Sequence, residues 1–197
     1  MPAIDCYRGF VNTWECDEIG HLNVQFYIGK LHEGLMVLRG RLGLTPAREQ
    51  AEGVSLRARS DHIRYLAERM AGDGIGWRIG VLEARPNELQ LYADMWASGE
   101  AMPAAAVRMR LHAIDTQTGA QRPVPADILA AAQAYRCTAP DATAPRGLQG
   151  EDDLPDLTLD QAQAGGLFQT QISGVQPWQC DVFGWQLAQH YIGRISD

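Results

Sequence analysis

The chain has 197 residues, 46% of them hydrophobic, with a formal net charge of -7, which is enough for one substantial core and short for two. Residues 138 to 165 hold six acids against one base, and without them the rest stands at 18 acids and 16 bases, or -2. The acidity therefore marks a linker, no basic patch interleaved with aromatics offers a nucleic-acid footprint, and no run approaches the roughly 18 to 20 apolar residues of a membrane span.

Residues 3 to 13 read as a first strand. A polar loop follows, and then Val24, Ile28, Leu31, Leu35, Leu38 and Leu42 recur at steps of four and three. That spacing predicts a helix from about Asn23 to Arg41 that buries one stripe, with Asn23 as N-cap and Gly43 and Pro46 beyond its end. Gly29, Gly34 and Gly40 each cost such a helix about 1 kcal/mol relative to Ala, so something is expected to pack too closely there for a side chain. After a polar connection, Val54, Leu56 and Ala58 alternate as a strand, and Ile63 and Tyr65 continue on the opposite parity. The flip predicts a bulge near Ser60. Three further strands alternate through Ile75–Val81, Leu89–Met95 and Ala105–Leu111, and Pro125 opens a short helix, Ala126 to Arg136. The expected class is α+β: an antiparallel sheet covered on one side by a long central helix.

The loop ahead of the helix carries Asp17, Gly20, His21, Asn23 and Tyr27 in the pattern Asp-x-x-Gly-His-x-Asn-x-x-x-Tyr. It resembles the signature of hotdog-fold acyl-CoA thioesterases of the 4-hydroxybenzoyl-CoA thioesterase type, and with the strands the resemblance covers about 115 residues. It implies a hotdog fold with thioester hydrolysis and no cofactor or metal. Family members often carry a second Asn where this chain has Val24.

By that resemblance Asp17 is the catalytic base or nucleophile. Thioester hydrolysis needs such a carboxylate together with groups that polarise the carbonyl. Amides around Val24 and Gln25 at the helix N-terminus supply the polarisation, backed by about half a positive charge of helix dipole. His21 orients substrate or moves a proton, with satisfaction of loop backbone groups as its plain alternative. Asn23 is a cap first and a substrate contact second, and Tyr27 is a core aromatic with its hydroxyl at the site edge. Cys16 adjoins Asp17 without a partner His. Arg57, Arg59, Arg64, Arg108 and Arg110 either meet CoA phosphates or form a solvated face. Two alternatives stand beside hydrolysis: a hotdog enoyl-thioester hydratase or dehydratase using Asp17 and His21, and a non-catalytic acyl-CoA binder or assembly subunit.

Residues 137 to 165 form the linker, with a helical turn expected at Leu157 to Ala164. Beyond it, laying Val11–Glu33 on Val175–Asp197, an offset of 164, gives nine identities in 23 positions, Asp181 and Gly184 among them, with Trp185 for His21 and Leu187 for Asn23. This reads as an internal repeat. The expected division is a complete unit over 1 to 136, the linker, and a partial second unit over 166 to 197 with a strand, the motif loop and the start of a helix. A single such sheet leaves an edge unpaired, so the expected assembly is a homodimer, or a pseudo-dimer within a longer parent chain. Four cysteines (6, 16, 137 and 180) without metal spacing, and a start lacking signal-peptide character, predict reduced thiols and a cytoplasmic location.

Overall fold

A computed structural model describes residues 3–140, 144 and 157–196. The strands are β1 Ile4–Phe10, β2 Val54–Tyr65, β3 Gly74–Arg85, β4 Glu88–Ala97, β5 Ala105–Asp115 and the two-residue β6 Gln121–Arg122. They pair antiparallel in the order β1-β3-β4-β5-β2, with β6 on β5. Helix α1, Val24–Arg41, lies on one face, and its Leu31, Leu35 and Leu38 share a core with Trp77, Ile79, Leu91, Met109 and Leu111. The period-2 and period-3.6 patterns thus meet on a single buried surface.

The parity flip in β2 is a bulge: Ala58 pairs with Leu111 and Ser60 with Arg110, leaving Arg59 as the extra residue. Beyond it, Ile63 returns to the core and Tyr65 stacks edge-on against Tyr27 with ring centroids 5.1 Å apart. Two of the three α1 glycines sit against close neighbours. A Cβ on Gly34 would lie 3.3 Å from the Cys6 Cβ, and Gly29 faces the Gln189 side chain. Nothing approaches Gly40 within 4 Å, and the structure gives no reason for it.

Three expectations are corrected. The connection after α1 contains a helix, α2 Pro46–Glu52, capped by Thr45 and closed by Gly53 at φ 63°. The helix after Pro125 is shorter than expected, α3 Ala126–Gln133. The strand expected at the head of the second copy is not formed, since residues 167–176 carry no regular structure. A strand needs a neighbour to take its backbone hydrogen bonds, and among the described residues no strand pairs with this segment.

The start of the linker lies on the sheet: Cys137 N donates to Val81 O at 2.8 Å, and Ala139 is buried with Tyr92 and Ala106. The turn expected at Leu157–Ala164 is α4, Leu159–Ala164, with a Thr158–Gln161 capping box. Of the linker acids, Asp141, Glu151, Asp152, Asp153 and Asp156 lie outside the described residues, as does Asp197. The last helix, α5 Gln189–Ser196, packs on α1.

Candidate active site

The loop between β1 and α1 is built by its own backbone. A 3-10 turn at Thr13–Glu15 leads to a tight turn in which Asp17 N donates to His21 O at 2.8 Å and Gly20 N to Asp17 O at 3.0 Å. Gly20 takes φ 86°, a conformation that L side chains rarely adopt. Asp17 Oδ1 accepts from Ile19 N at 3.1 Å and His21 N at 2.9 Å, so one carboxylate oxygen holds the turn. No partner of Oδ2 is found among the described residues.

Asn23 is the N-cap, its Oδ1 accepting from Gln25 N at 3.0 Å. That engages the Gln25 amide, and the Gln25 side chain lies against Gly193. Among the described residues the Val24 amide has no acceptor, which leaves it as the donor aimed out of the helix start. Asn23→Ala should lower stability by about 1 kcal/mol through the lost cap, read as a shifted urea midpoint; no shift would mean that the side chain does not cap in solution.

The His21 imidazole turns toward Glu68, with Nε2 3.4 Å from Oε2, and its main chain, bridged to Met70, closes the Asp17 turn. Tyr27 is 3% exposed, and its hydroxyl lies 3.5 Å from Ala67 O. Burial pushes its phenol up to about 12, so it stays neutral at ordinary pH. The Cys16 thiol is also pushed up, by burial and then by the neighbouring Asp17 charge, which disfavours the reactive thiolate.

Glu15 and Lys30 lie outside the Asp-x-x-Gly-His-x-Asn-x-x-x-Tyr pattern. They are 7% and 4% exposed and form a 2.7 Å ion pair; Lys30 also reaches the Tyr7 hydroxyl at 3.1 Å, while Glu15 Oε2 accepts from Asn12 N at 2.8 Å. The pair ties the loop to α1. Its available signal was Lys30 standing among the buried positions of an apolar helix and recurring as Arg194.

The loop geometry recurs 164 residues later. Asp181 N donates to Trp185 O at 2.9 Å, Gly184 N to Asp181 O at 3.0 Å and Leu187 N to Gln179 O at 2.8 Å, matching Asn23 N to Glu15 O at 2.8 Å in the first loop. Gly184 takes φ 83°. Here the carboxylate is engaged: Asp181 forms an ion pair with Arg57, and the Trp185 indole donates to Thr116 O at 3.0 Å. Of the other arginines, Arg110 pairs with Glu88 at 2.6 Å, Arg108 lies over the Tyr92 ring and Arg64 donates to Ala144 O at 3.3 Å.

A family model described as the thioesterase-like superfamily matches residues 11–132, a span that contains the whole first loop and the central helix. The chain belongs to the thioesterase-like superfamily. Among solved structures, this thioesterase-like chain is similar to a candidate thioesterase from Pseudomonas putida KT2440, at 25% identity and TM-score 0.62 over 79% of this chain and 99% of that one. A hypothetical protein from Staphylococcus aureus, solved in complex with CoA, aligns at 14% identity and TM-score 0.63 over 81% of this chain and 98% of that one. A candidate oleoyl thioesterase from Lactobacillus plantarum aligns at 16% identity and TM-score 0.73 over 98% of this chain and 69% of that one. No curated protein matches significantly. The antiparallel sheet with its packed helix is the hotdog fold of these thioesterase-like neighbours, and among the described residues no helix is long and apolar enough to cross a membrane.

Proposed function

We propose that this chain is an acyl-CoA thioesterase of the 4-hydroxybenzoyl-CoA thioesterase type, acting at the first loop. The observation that carries the reading is the thioesterase-like match across residues 11–132, a span that includes Asp17, His21 and Asn23. Asp17 Oδ2 takes a proton from water, the water oxygen adds to the thioester carbonyl carbon, the C–S bond breaks, and the Asp17 carboxyl returns the proton to the departing CoA thiolate. In the alternative, Oδ2 itself adds and expels the thiolate, and water then hydrolyses the mixed anhydride, releasing the acid, restoring the carboxylate and supplying the thiol proton. The Val24 amide and the helix dipole stabilise the developing oxyanion, Gln25 and Asn23 shape the helix start, and Tyr27 packs beneath it. His21 orients the loop and can carry a proton through Glu68. The CoA complex of the Staphylococcus aureus fold neighbour supports a CoA-type ligand.

The assembly reading is a pseudo-dimer. Gln25 meets Gly193 while Gly29 meets Gln189, and each pair is the other shifted by 164. Such reciprocity is the mark of a two-fold interface. It supports residues 166–196 as the opening of a second hotdog unit seated on the first, so a homodimer through the same face of α1 would have to displace this segment.

Thiol release should be measured over short, branched, aromatic and long acyl-CoAs. Saturable hydrolysis of at least one class is the expected result. Binding without release would favour the acyl-CoA-binding reading, which the engaged Asp181 makes worth testing, and hydration of crotonyl-CoA would favour the hydratase.

A further inference from the structure

We propose that His32 is the general base of a second reaction site, at the seam between α1 and the second loop. The proposal rests on the thioesterase reading and deepens it by adding a centre that does not use Asp17.

Placement follows from the helix pair. Gln25, Gly29 and His32 lie on one stripe of α1 at i, i+4 and i+7. The first two face Gly193 and Gln189 of α5, so the helices run in opposite directions along this stripe, and the next turn brings His32 to the level where α5 begins. The reciprocal position on α5 is Ser196, whose hydroxyl reaches Asn23 Oδ1 at 3.3 Å at the start of α1. His32 therefore stands to Leu187 and the start of α5 as Ser196 stands to Asn23.

Its chemistry is set by Asp61. His32 Nε2 lies 3.0 Å from Asp61 Oδ2, with the two side chains 22% and 14% exposed. Asp61 reaches this face through the bulge at Arg59, which turns Asp61, Ile63 and Tyr65 toward α1. A carboxylate that merely tied strand to helix would be expected to have both oxygens satisfied, yet Asp61 Oδ1 is buried without a hydrogen-bond partner. The second loop contributes another such atom, Gln186 Nε2. An unmatched carboxylate oxygen on the residue that holds a half-buried imidazole, with a second unmatched polar atom on the loop that meets α1, points to a polar ligand in the seam.

Asp181 cannot serve as the base there, because Arg57 holds it and its Oδ1 accepts the Phe183 and Trp185 amides. With the Nε2 proton directed to Asp61, His32 Nδ1 is the nitrogen left to accept one. In the proposed step Nδ1 takes a proton from water, the water oxygen bonds to the thioester carbonyl carbon, the C–S bond breaks, and the imidazolium returns the proton to the leaving thiolate. The products are a carboxylic acid and a free thiol.

The test compares thiol release by the full chain as wild type, Asp17→Asn, His32→Asn and the double variant. The expected result is that Asp17→Asn leaves residual hydrolysis, which His32→Asn lowers by a further ~10²-fold or more. Residual activity indifferent to His32, or no residual activity, would overturn the second centre while leaving the Asp17 site standing. A wild type that releases no thiol from any thioester would sink both readings. Should His32→Asn fail to fold, carbethoxylation of wild-type His32 followed by peptide mass mapping still decides: a non-hydrolysable acyl-CoA thioether should slow modification several-fold, and an unchanged rate would exclude ligand from the seam.

Discussion

Asp17→Asn should lower acyl-CoA turnover by at least the ~10² typical of a lost general base, with the thermal transition little changed. The substitution is informative because of how the carboxylate is held. Its Oδ1 accepts the Ile19 and His21 amides, and an asparagine oxygen can accept the same two bonds, so the turn survives while the charge and the free Oδ2 are lost. Asp17→Ala removes the turn as well and should add a stability loss of about 1 kcal/mol or more. Activity of Asp17→Asn within a few-fold of wild type, on a substrate that the wild type hydrolyses, would place the base elsewhere.

Lys30→Met should lower stability by about 3–5 kcal/mol, because it leaves Glu15 buried and uncompensated. Glu15 also takes the Asn12 amide, and its carbonyl accepts from Asn23 N, so the loss reaches the whole loop. The Glu15→Gln/Lys30→Met double variant should recover much of the loss, since replacing both partners of a buried pair is far milder than removing one. Urea midpoints for the two single variants and the double one give the coupling; a Lys30→Met loss below about 1 kcal/mol would show that the pair does not anchor the loop.

The pair also has a pH signature. Burial pulls the Lys30 ammonium down, but its hydrogen bonds to Glu15 and Tyr7 outweigh this and hold it above the ordinary lysine value. A group raised in the folded state contributes stability that is fully present below its unfolded pKa and is lost as pH rises through the folded one. The wild type should therefore lose this contribution only at strongly alkaline pH, and Lys30→Met should lack that part of the alkaline slope.

Much of the fold is written in neighbouring residues. The four-and-three spacing from Val24 to Leu42 specifies α1, Asn23 its cap, and the change of parity between Ala58 and Ile63 the bulge, because each depends on a period carried by a few consecutive side chains. The α2 helix was legible in principle from Thr45, Pro46 and Gly53 as cap, first-turn proline and left-handed stop, but Pro-Ala-Arg-Glu-Gln-Ala-Glu has no apolar period to mark it. The 164-residue offset was readable too, and the recurring turn hydrogen bonds follow it.

The sequence by itself determined the central helix, the strand pattern and the loop that gathers Asp17, His21 and Asn23, since all of these rest on contacts within a turn or along a strand. Only the tertiary structure decided that Glu15 meets Lys30, that Asp61 meets His32 across 29 positions, that Arg57 pairs with Asp181, and that residues 167–176 form no strand. The physical reason is the same for each: an ion pair or a strand exists only if a distant partner arrives, and no local period records which partner that is.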